Sequence, residues 1–358
     1  MPIVSRRSFM KTAGAAATLP LLGKAAMAQE PLKIGFVYVG PVGDFGWTYA
    51  HDQARLEMVA ELGDQVSTTF VESVPEGPDA ERVLRELAQQ GHKLIFATSF
   101  GYMNQTIKVA QQFPDVHFEH ATGYQRSANM ATYNARFHEG RSVIGTIAGH
   151  MSETGIGGYI ASFPIPEVVM GINAFTLAAQ KVNPDFKTKV IWVNSWFDPA
   201  KEADAARALI DQGVDVITQH TDSPAALQVA EERGVIGFGQ ASNMASFAPK
   251  SHMTAITDDW GPYYIDRAKA VLDGTWSSGD TWWGLKEGAV GISPYNDAVP
   301  ADVVSAAEAV REGIIAGTWD SFAGPISDQS GTERVSAGGT LDDGQLLTMD
   351  WYVNGVQS

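Results

Sequence analysis

No cysteine occurs anywhere in the 358 residues. Disulfides are therefore impossible, and the core alone must stabilise the fold. Lipid attachment behind an export signal also needs a cysteine, so an exported form of this chain is expected to be unanchored. Positive charge is scarce as well. Lys and Arg number 25 against 41 Asp and Glu, a formal net charge of −16. Such a surface repels nucleic acid and anionic membrane, and no basic patch with interleaved aromatics offsets it. No apolar run reaches the ~20 residues that span a bilayer. Internal repeats of solenoid period and low-complexity tracts are missing too.

Catalytic signatures are equally thin. "HFEH" (His117 to His120) reads as strand, so His117 and Glu119 share one face and His120 takes the other. It lacks the helical spacing of a HExxH metal site. "GIGGY" falls short of GxGxxG and reads as a tight entry to a strand. There is no GxSxG elbow and no GxxxxGK[ST] loop. No nucleophile–base pair can be named. The expectation is a protein that is not an enzyme, with no catalytic residue, no metal ligand and no cofactor.

The first 28 residues stand apart. "SRRSFMK" (Ser5 to Lys11) precedes the apolar "TAGAAATLPLLG", and Ala26 to Ala28 offers a small-x-small cleavage site. This pattern reads as a twin-arginine export signal, with the periplasm as its address. The signal holds Arg6, Arg7, Lys11 and Lys24 and no acid, so the rest of the chain has 21 bases against all 41 acids.

Beyond it, composition is ordinary for a folded protein, 44% hydrophobic and 18% charged, with length enough for two domains. Short apolar strands alternate with longer amphipathic segments. "KIGFVYVG" (33–40), "VSTTFVE" (66–72), "KLIFATS" (93–99), "VHFEHAT" and "MATYNARF" read as strands. Helices are predicted at 47–62, 78–90, 102–112 and about 139–152. The pattern then restarts. Strands at 155–162, 189–195, 214–220, "GVIGFGQ" and "HMTAIT" alternate with a helix over "EVVMGINAFTLAAQKV" and helices at 200–212 and 223–233. Alternation with short connections means a parallel sheet flanked by helices. Two series imply an α/β protein of two doubly wound lobes joined by a hinge. The boundaries predicted are 29–150 with 254–281 for lobe 1, and 151–253 with 282–358 for lobe 2.

In open parallel sheets, ligands sit beyond the carboxyl ends of the strands. The first such loop, "GDFGWTYAHDQ" (Gly43 to Gln53), packs aromatic rings where small polar residues are usual. Trp47 there and Trp196 in "NSWFDPAKE" each follow a strand by a few residues. Facing each other across a cleft, they could sandwich one flat ring. Gly46, Tyr49 and Phe100 join them as candidates, although Tyr49 fits the first turn of a packed helix equally well. Phe45 and Phe197 neighbour the tryptophans, so one of each pair is expected to face ligand. Trp282 and Trp283 fall near a lobe crossing and read as hinge packing. Asp44, Asp222, Asn243 and Asp259 are candidate polar contacts; Asp222 fits a helix cap as well as a ligand role. Asp258 stands beside Asp259. Asp198, before Pro199, reads as a helix cap. Arginine appears in these loops at Arg126 alone, and lysine at Lys201 alone. A site for a carboxylate or phosphate would present more positive charge. The expected ligand is flat and neutral.

"KIGFVYVGPVGDFGWTYAHDQ", "ATSFGYMNQTIKVAQQFPDVHF", "NSWFDPAKEADAARALIDQGVDVI" and "WWGLKEGAVGISPYNDAVPADV", in that order, resemble the basic membrane protein (Bmp) family. The resemblance runs from about 32 to 315. It implies a type I periplasmic-binding-protein fold with a hinged cleft. Members are substrate-binding proteins of ATP-driven (ABC) importers, and several bind purine nucleosides. The family's first-lobe aromatic falls on Trp47, and its second-lobe aromatic on Trp196 or Phe197. Implied partners are a small purine ligand and, transiently, an ABC permease in the inner membrane; a monomer is expected. Two features depart from the pattern. Most relatives are lipoproteins, and here no cysteine exists. The ribose-gripping aspartate of nucleoside binders is replaced by Ala241, Ser242 and Asn243, and no lysine stands beside "TAITDDW". A free base such as adenine is therefore expected in preference to a nucleoside. A sugar binder of the same fold, a chemosensory ligand binder and, last, a nucleoside hydrolase are the other readings.

Overall fold

The computed structural model describes residues 30–358. The expected export signal, residues 1–28, lies outside the described residues. In chain order the elements are β1 (Leu32–Val37), α1 (Gly46–Leu62), β2 (Val66–Val71), α2 (Pro78–Gln89), β3 (Leu94–Ala97), α3 (Met103–Ala110), β4 (His117–Ala121), β5 (Met130–Ala135) and α4 (Phe137–Met151). Then come β6 (Ile156–Ala161), α5 (Pro166–Val182), β7 (Lys187–Trp192), α6 (Pro199–Asp211), β8 (Val216–His220), α7 (Ala225–Arg233), β9 (Ile236–Gly239) and β10 (His252–Asp258). The chain continues through α8 (Gly261–Leu272), β11 (Asp280–Trp283), β12 (Val290–Ile292) and α9 (Ala301–Ile315). It finishes with β13 (Ile326–Ser327), β14 (Glu333–Val335), α10 (Asp343–Leu346) and β15 (Val356–Gln357).

Two large sheets organise the lobes, and β13 pairs antiparallel with β14 apart from them. The first has the order β11-β5-β4-β3-β1-β2, with every pair parallel. The second has the order β12-β10-β9-β8-β6-β7-β15, parallel except where β12 runs against β10. Central strands covered by helices on both faces must be apolar throughout, and all four residues of β3 are buried. Local chemistry sets the helix ends. Pro78, Pro166 and Pro199 occupy the starts of α2, α5 and α6, where a missing N–H costs nothing. Asp198 caps α6 by accepting from the Lys201 N–H at 3.1 Å, as its place before Pro199 predicts.

The chain changes sheets after β5, after β10 and after β11. The sequence pattern put the crossings near 150–155, 254 and 282. The first comes a helix earlier, because α4 packs on α5 and α9 of the second lobe. Gly145 and Gly149 make that packing close. A Cβ on Gly145 would lie 2.4 Å from the Phe175 carbonyl oxygen, and one on Gly149 2.6 Å from that of Ala179. The second comes later, since residue 254 lies inside β10. The third also comes slightly later: Trp282 and Trp283 pair with Asn134 and Ala135 in the first sheet. Arg136, at the first crossing, lies over the Trp282 ring at 4.0 Å. Its Nη1 and Nη2 donate to Asp343 Oδ1 and Oδ2 at 2.9 and 2.7 Å. The segment after α9 thus reaches back to the crossing.

"HFEH" serves the core of the first lobe. Glu119 is fully buried and accepts from Tyr263 Oη (2.6 Å), Arg267 Nε (2.5 Å) and Trp276 Nε1 (2.6 Å). The His117 ring lies 4.2 Å from that of Trp276. On the opposite face, His120 Nε2 meets the Ser99 carbonyl at 2.8 Å.

Replacing Gly145 with Val should cost ~1–3 kcal/mol or more by overpacking the α4–α5 contact, although the change improves helix propensity. Urea unfolding measures it, and an unchanged midpoint would contradict the close approach.

Candidate functional site

The strand ends of both lobes converge on one cavity of about 370 Å³, counting its mouth. The first lobe lines it with Val39, Trp47, Ser99, Phe100 and Thr122. The second lobe supplies Glu167, Trp196, His220, Asp222 and Gln240. Four non-glycine residues have left-handed backbone among the described residues: Ser73 (φ 56°), Thr122 (61°), Asn194 (51°) and Ala241 (60°). Each follows a strand at its carboxyl end, where backbone strain commonly marks a working site.

The two indoles are held by their N–H groups. Trp47, in the first turn of α1, donates Nε1–H to the Thr98 carbonyl at 2.7 Å. Its ring meets His51 and Trp260 edge-on, at 4.3 and 5.5 Å. Trp196 donates Nε1–H to Glu76 Oε1 at 3.1 Å, a bond from the second lobe to the first. Glu76 also accepts from Ser99 Oγ and the Gly101 N–H. Phe163 backs the Trp196 ring at 5.0 Å. Both N–H groups are satisfied within the protein, so neither is left for a ligand.

The lobes touch at Gly46. Its N–H donates to Ser242 Oγ at 2.8 Å. Its φ is +78°, and a Cβ there would stand 2.6 Å from the Asp222 carbonyl oxygen. Beside it, Phe45 packs edge-on against Phe247 of the second lobe, ring centres 5.2 Å apart. Phe197 lines an adjoining groove with Ser73, Glu76 and Asn194, which shares Val39 and Trp196 with the cavity. Each tryptophan, and neither neighbouring phenylalanine, thus lines the inner cavity.

Of the residues expected from sequence, the structure gathers Trp47, Trp196, Phe100 and Asp222 around the cavity, with Gly46 at its rim. The other four lie elsewhere. Asp44 is exposed in the turn after Gly43. Tyr49 sits two residues beyond Trp47 on α1, and a two-residue step carries a side chain to another face of a helix. Asn243 is exposed, and its Oδ1 accepts from the Ala245 N–H at 3.0 Å. Asp259 is exposed too, and its Oδ1 accepts from the Gly261 N–H at the start of α8. Both are drawn into local turns, the usual competitor for such side chains.

The polar wall was largely missed. Glu167 is the second residue of α5, and Oε1 lies 3.4 Å from His220 Nε2. Neither Glu167 Oε2 nor His220 Nδ1 has a hydrogen-bond partner, though both atoms are buried. Burial pushes the His220 imidazole below its usual range and so favours the neutral ring. Burial pushes the Asp222 carboxyl well up, and Glu202 adds to it. The scarcity of arginine in the loops was misleading. Arg141 enters from the middle of α4, fully buried. It donates Nη1–H to Thr218 Oγ1 at 3.2 Å and Nη2–H to Gln240 Oε1, behind the cavity wall. The sequence signal is an arginine just before "SVIGTIAG", in the second turn of α4. Asp258, which faces Arg141, is buried with both carboxylate oxygens unpartnered. Burial raises its carboxyl to about 8, against the pull of Arg141. No group of three or more His, Cys, Asp or Glu could hold a metal ion among the described residues.

A model of the family "ABC transporter substrate-binding protein PnrA-like" matches residues 32–321. The chain belongs to the Bmp family. Bmp proteins are substrate-binding proteins of ABC transporters and not enzymes, so a small-molecule ligand and a transporter partner follow from membership. A purine-binding protein of Brucella abortus is 62% identical, over 94% of this chain and 96% of its own length. A putative ABC transporter glucose-binding protein of Haloferax volcanii is 37% identical, over 92% of this chain and 81% of its own. An ABC transporter solute-binding protein of Aeropyrum pernix has the same fold, with TM-score 0.70, 20% identity and coverage of 83% of this chain and 93% of that one. No helix among the described residues is long and apolar enough to cross a membrane.

Gly46→Ala should keep the fold and weaken ligand binding about tenfold or more, since left-handed backbone without glycine costs ~1–3 kcal/mol before the clash with Asp222 is counted. Calorimetry on the variant checks this; unchanged affinity would show that the lobes need not meet here to bind.

Asp258 makes stability depend on pH. Its folded carboxyl, at about 8, holds a proton that the unfolded carboxyl (~3.9) has lost. Between these values the folded state binds more protons, so stability is full at low pH and falls as pH rises towards 8. Asp258→Asn should shrink the loss of Tm between pH 5 and pH 8 in ligand-free protein. A variant with the full wild-type loss would rule out this source.

Proposed function

We propose that this protein binds a purine base, adenine first among them, and delivers it to the permease of an ABC importer. The base lies between the indoles of Trp47 and Trp196 when the lobes shut. The observation that carries this reading is that one tryptophan from each lobe lines the same cavity, in a chain 62% identical to a purine-binding protein. Stacking on an aromatic face contributes ~1–3 kcal/mol. Two faces supply a large share of the ~8–11 kcal/mol of sub-micromolar binding. The address is the periplasm, reached through the twin-arginine signal, and the protein works as a monomer.

A free base is favoured over a nucleoside by what replaces the ribose-gripping carboxylate. Ala241 has no polar side chain, Ser242 Oγ is taken by Gly46, and Asn243 caps its own turn. Asp259 is engaged at the start of α8. A sugar is the second reading. Glu167, Asp222 and Gln240 give the cavity the carboxylates and amide that sugar recognition uses, and one relative is named as glucose-binding.

Calorimetry with adenine, adenosine and glucose separates the three, with adenine expected to bind tightest. Tighter glucose binding would replace the purine reading, and tighter adenosine binding would retire the free base. Trp47→Ala combined with Trp196→Ala should weaken adenine binding by about 100-fold or more. Wild-type affinity in that double variant would remove the sandwich.

A further inference from the structure

We propose that Glu167 reads the exocyclic amine of the bound base, accepting its N–H at Oε2, and so sets the preference for an amino purine over other purines. The inference rests on the purine reading and adds the residue that chooses among purines.

Glu167 is placed by rigid structure. It follows Pro166 at the start of α5, where the Val168 and Val169 N–H groups close back on the Ile165 carbonyl. Partial positive charge at a helix N-terminus favours a carboxylate in the first turn. Arg141 adds positive charge from behind the wall, and burial holds the neighbouring Asp258 carboxyl towards its neutral form. The side chain is 11% exposed, and Oε2 is buried with no partner in the protein. An unpartnered buried carboxylate oxygen is costly, and a donor from a ligand removes the cost.

The neighbour reinforces the choice. With His220 neutral and its Nε2–H turned to Glu167 Oε1, its unpartnered Nδ1 becomes a second acceptor. Asp222 lines the same cavity, and its carboxyl, pushed towards the neutral form, keeps an acceptor oxygen beside its O–H. The two unpartnered acceptors of Glu167 and His220 suit a ligand edge that carries N–H groups. A 6-oxo purine would turn its own oxygen towards the carboxylate. A site that bonds a donor rejects an analogue that lacks it, because its buried acceptor is then left bare.

The test is calorimetry of adenine, unsubstituted purine and hypoxanthine with the wild type and with Glu167→Gln. The wild type should bind adenine at least about 30-fold tighter than purine or hypoxanthine. Glu167→Gln should reduce the adenine-to-purine ratio about tenfold or more, with purine affinity little changed. A folded Glu167→Gln that keeps the wild-type ratio overturns the role of Glu167 and leaves the purine reading standing. Wild-type protein that binds none of the three overturns both. Should the variant fail to fold, the wild type decides alone: equal affinity for adenine and purine overturns the assignment.

Discussion

The lobes meet at a backbone with no side chain. Gly46 lies against the Asp222 carbonyl in a conformation that other residues resist, and its N–H is tied to Ser242. Trp47 is the next residue, so seating Gly46 against the second lobe carries the first-lobe indole to the interface. Trp196, whose carbonyl accepts from the Asp222 N–H at 3.0 Å, is fixed on the other side of the same contact. A Cβ at this point would prise apart the two halves of the site.

The cavity joins two kinds of chemistry. Its aromatic side offers polarizable faces with their N–H groups already satisfied, which suits a flat ring of any orientation. Its polar side is held by α5, β8 and β9, and carries more acceptors than donors. Burial shifts the imidazole of His220 and the carboxyls of Asp222 and Asp258 towards their neutral forms. Arg141 sits one layer deeper and supplies positive charge without reaching the ligand space through a loop.

The alternation of strands and helices was legible because each lobe repeats one pattern of apolar period. Loop positions followed, and with them Trp47, Trp196, Phe100 and Asp222. Misplacements have local causes. Asp44, Asn243 and Asp259 were chosen for residue type in the right loops, but short polar side chains beside a turn bond to their own backbone or point to solvent. Tyr49 fell on the wrong side of α1. Glu167 and His220 lay in or beside segments already marked as strand ends, yet nothing in sequence joins a residue of α5 to one of β8. The crossing at 136 is not legible because α4 is buried on nearly every side, which gives no clue to its lobe, and its partner is selected by Gly145 and Gly149.

By itself, the sequence determined a two-lobed α/β protein, the loops at the carboxyl ends of its strands, and the absence of disulfide, metal-ligand and nucleophile patterns along the chain. These depend on composition and on periods of two and 3.6 residues, which are local properties. Tertiary structure alone decided which atoms stand unpartnered in the cavity, that an arginine lies behind it, and that Gly46 is one of the points where the lobes touch. Those depend on distances between residues up to 196 positions apart, and such distances are fixed by packing and not by any pattern along the chain.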